Sequence, residues 1–109
     1  MPLLLPLAIA VSGLSGTVLR GPTMPVCQAG RPCTAPVVGA ALRFSRRGTI
    51  VARTHTKTGG RYSILLAPGV YQVSIRPAPR IGAGLQPQRV RVRVGLVGHV
   101  DFMLDTGIR

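Results

Sequence analysis

Among the ionisable groups that could do chemistry, the chain holds two carboxylates, Asp101 and Asp105, two histidines, His55 and His99, two cysteines, and no glutamate. Hydrolysis and group transfer need a proton-transfer pair or an activated nucleophile, and this pool supplies almost neither. Ser12, Ser15, Ser45, Ser63 and Ser74 sit in no Gly-x-Ser-x-Gly setting. A zinc site of the two-histidine, one-glutamate type is ruled out by composition. Each histidine borders a turn, where an isolated imidazole is ordinarily solvated and lacks the second group that would orient it. No enzyme is expected, and no cofactor.

Cys27 and Cys33 lie close together in a stretch rich in proline and glycine. In an oxidising compartment two such thiols should pair. Closing that small ring restricts the unfolded chain by about 2.4 kcal/mol in the loop-entropy estimate. Two other readings are zinc held by Cys27, Cys33, His55 and His99, whose spacing fits no finger pattern, and free thiols in a reducing cytosol.

Arginine is the abundant reagent. Fourteen Lys and Arg face two acidic residues, giving a formal charge of +12, and thirteen of the fourteen are arginine. Such a balance suits an acidic polymer or surface as partner, and it is also what GC-rich coding produces alongside Ala, Gly, Pro and Val. Within Gln88 to Val94, Arg89, Arg91 and Arg93 alternate with Val90, Val92 and Val94. If extended, the three guanidinium groups stand on one face at intervals of about 6.7 Å, able to grip phosphate, sulfate or carboxylate groups along a polymer. The plainer reading, that exposed charge keeps an edge unpaired and the protein soluble, ranks ahead of the stripe. Phe44, Tyr62, Tyr71 and Phe102 all fall on apolar faces, so no aromatic platform for stacking bases is visible, and acidic polysaccharide is favoured over nucleic acid.

The elements that must position these groups are strands. Fourteen glycines and ten prolines break the apolar sequence into short bursts too brief for amphipathic helices. Seven segments read as strands: 15–20, 38–45, 49–56, 61–66, 71–76, 88–94 and 99–105. Ala40, Leu42 and Phe44 share one face, as do Tyr62, Ile64 and Leu66, then Tyr71, Val73 and Ile75, then Val100, Phe102 and Leu104. Ala67-Pro68-Gly69-Val70 fits a type II turn and predicts that the flanking strands pair as a hairpin. Residues 21–36 and 77–87 read as loops.

Leu3 to Val11 is an apolar run interrupted by Pro6, and Ala8-Ile9-Ala10 offers small-x-small spacing. It is too short to span a bilayer, so residues 1–12 are expected to be a secretory leader cut near Ala10, or a strand-like arm. Only Met1 and Pro2 precede the leucines, so the basic start of a leader is missing.

Gly16-Thr17-Val18, Pro36-Val37-Val38-Gly39-Ala40, Gly60-Arg61-Tyr62-Ser63-Ile64, Pro68-Gly69-Val70-Tyr71-Gln72-Val73 and the closing Val100 to Asp105 together resemble the carboxypeptidase regulatory-like domain. The resemblance spans residues 14–105, leaving 106–109 as a tail, and its most specific piece is Gly-x-Tyr followed by Pro-Gly-x-Tyr. It implies an all-β, seven-stranded antiparallel sandwich of transthyretin-like fold, an accessory or ligand-contact module of exported proteins without an active site. It carries no functional residues across. Lys57-Thr58-Gly59 replaces an Asp common at that turn, which puts any cation bound there in doubt. The same fold hosts hydroxyisourate hydrolases, which close on a Tyr-Arg-Gly-Ser-like tail that Asp105-Thr106-Gly107-Ile108-Arg109 does not match.

The expectation is therefore a secreted or periplasmic, non-catalytic module that serves a protein or cell-surface partner. The alternative is a binder of acidic polymer through Arg89, Arg91 and Arg93.

Overall fold

The computed structural model describes residues 11–78 and 84–108. Their order is β1 (Gly13–Gly21), β2 (Ala35–Pro36), β3 (Ala41–Arg46), β4 (Thr49–His55), a 3₁₀ turn (Thr58–Gly60), β5 (Arg61–Leu65), β6 (Gly69–Arg76), β7 (Leu85–Gln86), β8 (Arg89–Val92), β9 (Val97–His99) and β10 (Phe102–Asp105). Each of the seven expected segments contains a strand. The three further strands, β2, β7 and β9, have two or three residues each and lie mainly where loops or a turn were expected.

One sheet has the order β4-β3-β6-β8 and is antiparallel throughout. The other is organised around β1. Its first half pairs with β5 and β9, and its second half with β2 and β10, beyond which lies β7. The β1–β9 and β1–β10 pairings are parallel, so the sheets are antiparallel-rich rather than wholly antiparallel. Parallel neighbours need a long crossover, and here most of the chain forms that connection.

Alternation decides which side chains go inward. Leu14, Val18, Tyr62, Leu85 and Phe102 from the β1 sheet meet Leu42, Phe44, Tyr71, Val73, Ile75, Val90 and Val92 from the other in a single buried cluster. Tyr62 and Phe102 pack with ring centroids 5.5 Å apart, and the Tyr62 hydroxyl donates to the Val100 carbonyl at 2.6 Å. The Tyr71 hydroxyl donates to the Ala67 carbonyl, and the Arg46 guanidinium lies over the Tyr71 ring. Both phenols thus bury a ring while satisfying the polar tip, the condition under which tyrosine is stable in a core.

Two details depart from the expectation. The turn at Ala67–Val70 is present, but β5 pairs with β1 whereas β6 pairs with β3 and β8. The turn therefore carries the chain from one sheet to the other, and the expected hairpin does not form. The hairpin that does form joins β3 to β4 through Arg47 and Gly48, both at positive φ, the geometry that matches strand twist in a tight connection. Val94 is 77% exposed instead of buried, because β8 ends at Val92 and the chain turns at Val94-Gly95. The expected leader lies almost wholly outside the described residues, as does the middle of the 77–87 segment.

Candidate functional site

The outward face of the four-stranded sheet is set by the same alternation that fills the core. With Leu42 and Phe44 buried, Arg43 and Ser45 of β3 face out; with Tyr71, Val73 and Ile75 buried, Gln72, Ser74 and Arg76 of β6 do. On β8, Val90 and Val92 point in and Arg89 and Arg91 are exposed. Register then places these residues side by side. Arg53 stands opposite Arg43, His55 opposite Ala41, Ser74 opposite Arg43, Gln72 opposite Ser45, and Arg89 opposite Gln72.

Five arginines, Arg43, Arg53, Arg76, Arg89 and Arg91, thus share a face about 14 Å wide, three interstrand spacings. Among the described residues no carboxylate joins them. Asp101 is held by Thr17 and His99 on the other sheet, and Asp105 ends β10, also on the other sheet. Arg43 and Arg53 are direct cross-strand neighbours, an arrangement that disfavours the fold when the charges are alike. Nε of Arg43 is buried without a hydrogen-bond partner. A donor in that state is costly, and an oxyanion placed beside the Arg43 and Arg53 guanidinium groups would neutralise the repulsion.

A cavity of about 750 Å³ opens where β8 parts from β6, lined among others by Ser45, Gln72, Ser74, Gln86, Gln88 and Arg89. It lies between the Arg43/Arg53/Arg76 group and the edge arginines. Its polar lining is mainly hydroxyl and carboxamide, which can both donate and accept.

Alternation within 88–94 singles out Arg89, Arg91 and Arg93. The structure puts Arg89 and Arg91 on the strand and Arg93 just beyond its end, all exposed. It adds Arg43, Arg53 and Arg76, which stand on other strands of the same face. Their signal was the alternation of Arg43 with Leu42 and Phe44, and of Arg76 with Ile75; what alternation lacks is the order of strands in the sheet.

On the opposite sheet His99 and Asp101 converge, Nε2 to Oδ2 at 3.0 Å, beside a shallow hollow of about 260 Å³ that includes Ser15, Arg61 and Tyr62. Asp101 also accepts from the Thr17 N–H and hydroxyl. These hydrogen bonds, the backbone one foremost, hold its carboxyl below the usual range. Burial pushes the Tyr62 phenol up, and the Asp101 charge adds to that. The histidine and aspartate side chains are 71% and 55% exposed, so water screens the pair. His55 is exposed on β4, away from that pair.

Cys27 and Cys33 form a disulfide, with Cα atoms 5.5 Å apart, in the exposed segment between β1 and β2. They are thereby removed as thiolate ligands, which disposes of the two-Cys, two-His zinc alternative. In comparisons with known proteins, no family model and no curated protein matches the chain.

Proposed function

We propose that this chain is a non-catalytic binding module of transthyretin-like β-sandwich architecture that acts outside the cytoplasm and holds an acidic polymer against its four-stranded sheet. The observation that carries the reading is the set of five arginines sharing one sheet face free of carboxylates among the described residues. Arginine recognises oxyanions through its planar fork of donors, and a flat face with several forks engages successive groups of one polymer.

The architecture is supported by one core shared between two sheets and by seven principal strands, β1, β3, β4, β5, β6, β8 and β10, once the shortest strands are set aside. A disulfide and the lack, among the described residues, of a helix long and apolar enough to cross a membrane are compatible with an extracytoplasmic setting. A non-catalytic role fits an acid–base pair, His99 and Asp101, that stands open to solvent instead of in a water-excluding site.

Elution from an acidic-polymer column tests the reading. The salt needed to elute should fall further for Arg53→Gln/Arg89→Gln/Arg91→Gln than for Arg20→Gln/Arg31→Gln/Arg61→Gln, which loses equal charge elsewhere. Equal losses would mean that the net charge of +12 drives retention and that the face is merely solvated.

A further inference from the structure

Resting on the reading of this face as an anion-binding surface, we infer that its ligand is a linear acidic polysaccharide, with a sugar unit in the Ser45–Gln72–Ser74–Gln88 cavity and its flanking acidic groups on Arg43/Arg53 and Arg89. Three independent observations converge on that chemistry.

The first is spacing. Arg43 and Arg89 are two strands and one pleat repeat apart, roughly 12 Å between backbones, and Arg53 and Arg91 lie beyond them, so the guanidinium groups follow a path that a chain with regularly spaced oxyanions can track. The second is the surface between them. Gln72 and Ser74 are exposed, uncharged and able to donate and accept, and Gln86 and Gln88 complete the wall across the cavity. Sugar hydroxyls, which also donate and accept, match such a lining. A site that serves phosphates alone would have no use for it. The third is the position of the aromatic rings. Phe44, Tyr62, Tyr71 and Phe102 are all in the core, so the face offers an unpaired base no phenyl or phenol ring, and its one imidazole, His55, stands on the outer strand β4 away from the cavity.

Arg43 is the anchor within this site. Its Nε has no partner, Arg53 lies directly across the strand boundary, and the Ser74 position is its neighbour on the other side. An acidic group there offsets the like-charge cross-strand pair of Arg43 and Arg53, so binding should be accompanied by stabilisation of the fold.

The experiment compares a short sulfated oligosaccharide, the same oligosaccharide without its acidic groups, and a single-stranded oligonucleotide of matched charge, by calorimetric titration and by melting temperature. The protein forms are wild type, Gln72→Ala/Ser74→Ala/Gln88→Ala, which leaves charge unchanged, and Ser63→Ala on the opposite sheet. All the substituted positions are exposed, and coincident melting curves without ligand establish that the variants fold. The acidic oligosaccharide should bind wild type and raise its melting temperature, and lose about tenfold in affinity to the cavity variant but not to Ser63→Ala. The oligonucleotide should bind more weakly and be indifferent to the cavity variant. Equal binding of the two polymers with no effect of the cavity variant overturns the polysaccharide assignment and leaves the polyanion face standing. Tight binding of the uncharged oligosaccharide overturns the role of the arginines. Failure of both acidic ligands to bind overturns the underlying reading as well.

Discussion

Oδ1 of Asp101 accepts two hydrogen bonds from Thr17, one from its backbone N–H at 2.9 Å and one from its hydroxyl at 3.0 Å, across 84 residues of sequence. The contact falls where β9 ends and β10 begins, both running parallel to β1. Between them the Asp101 carboxylate takes the place of a backbone carbonyl and carries the pairing of β1 across the break. The hydrogen bonds that hold the carboxyl below its usual range are therefore part of how the sheet is joined.

This gives a pH dependence of defined sign. The folded-state acidity of Asp101 is greater than that of an unfolded aspartate, so the ionised form is the one the fold favours. Its contribution is complete above about pH 4 and is lost as the pH falls through the lower folded-state value. Wild type should be more stable than Asp101→Asn at neutral pH, and the gap in melting temperature should close on acidification. A gap of constant size from neutral pH to strong acid would show that the carboxylate charge does not stabilise the join.

Gly16 lies at the same break. A Cβ there would meet the Val100 carbonyl oxygen at 2.0 Å and Asp101 Oδ1 at 2.9 Å, whereas at Gly98 the nearest atom is Leu14 Cδ2 at 3.5 Å. Gly16→Ala should cost about 2–3 kcal/mol by forcing backbone to shift, and Gly98→Ala far less. Urea denaturation of the pair is the measurement, and equal midpoints would refute the packing described here.

Tyr71 is 2% exposed, in phase with Val73 and Ile75. Tyr71→Ala should cost about 3–5 kcal/mol and Tyr71→Phe only about 1 kcal/mol, the loss of a cavity-filling ring against the loss of one hydrogen bond. Equal costs would show that the hydroxyl bond to Ala67, and not the ring, is the anchor.

Arg53→Thr should stabilise the unliganded protein, by roughly 0.2–1 kcal/mol, because it relieves a like-charge cross-strand pair with Arg43. The gain should shrink with added salt. Destabilisation at every ionic strength would mean that the two guanidinium groups do not repel.

Intact mass with thiol alkylation, before and after reduction, should show Cys27 and Cys33 protected until reductant is added. Two thiols freely alkylated in protein purified without reductant would contradict the pairing.

The parts of the fold legible in the sequence are those fixed by local periodicity. Leu42 and Phe44, Val73 and Ile75, and Val90 and Val92 announce strands and faces by alternation, and the Tyr71 environment follows from its phase. Two-residue strands such as Ala35–Pro36 carry no period to detect. The Pro68-Gly69 turn was readable as a turn, but whether the strands on either side pair depends on partners elsewhere in the chain. The break between β9 and β10 sits at Asp101, whose partner Thr17 is again far away in sequence. The basic face was legible in the same partial way: Arg89 and Arg91 stand in one alternating stretch, whereas their association with Arg43, Arg53 and Arg76 required the order of four strands.

The central position of β1 bears on how the molecule is assembled in time. Its second half is paired with β10, and its first half with β5 and β9. During synthesis β1 is made well before its neighbours β9 and β10, so one side stays an unsatisfied edge until those two strands follow. The β4-β3-β6-β8 sheet draws on closer segments and can form first, which makes β1 closure the late step. A chain shortened before Val97 would keep all four strands of the basic sheet yet leave the other sheet open, with an adhesive edge where β9 and β10 belong.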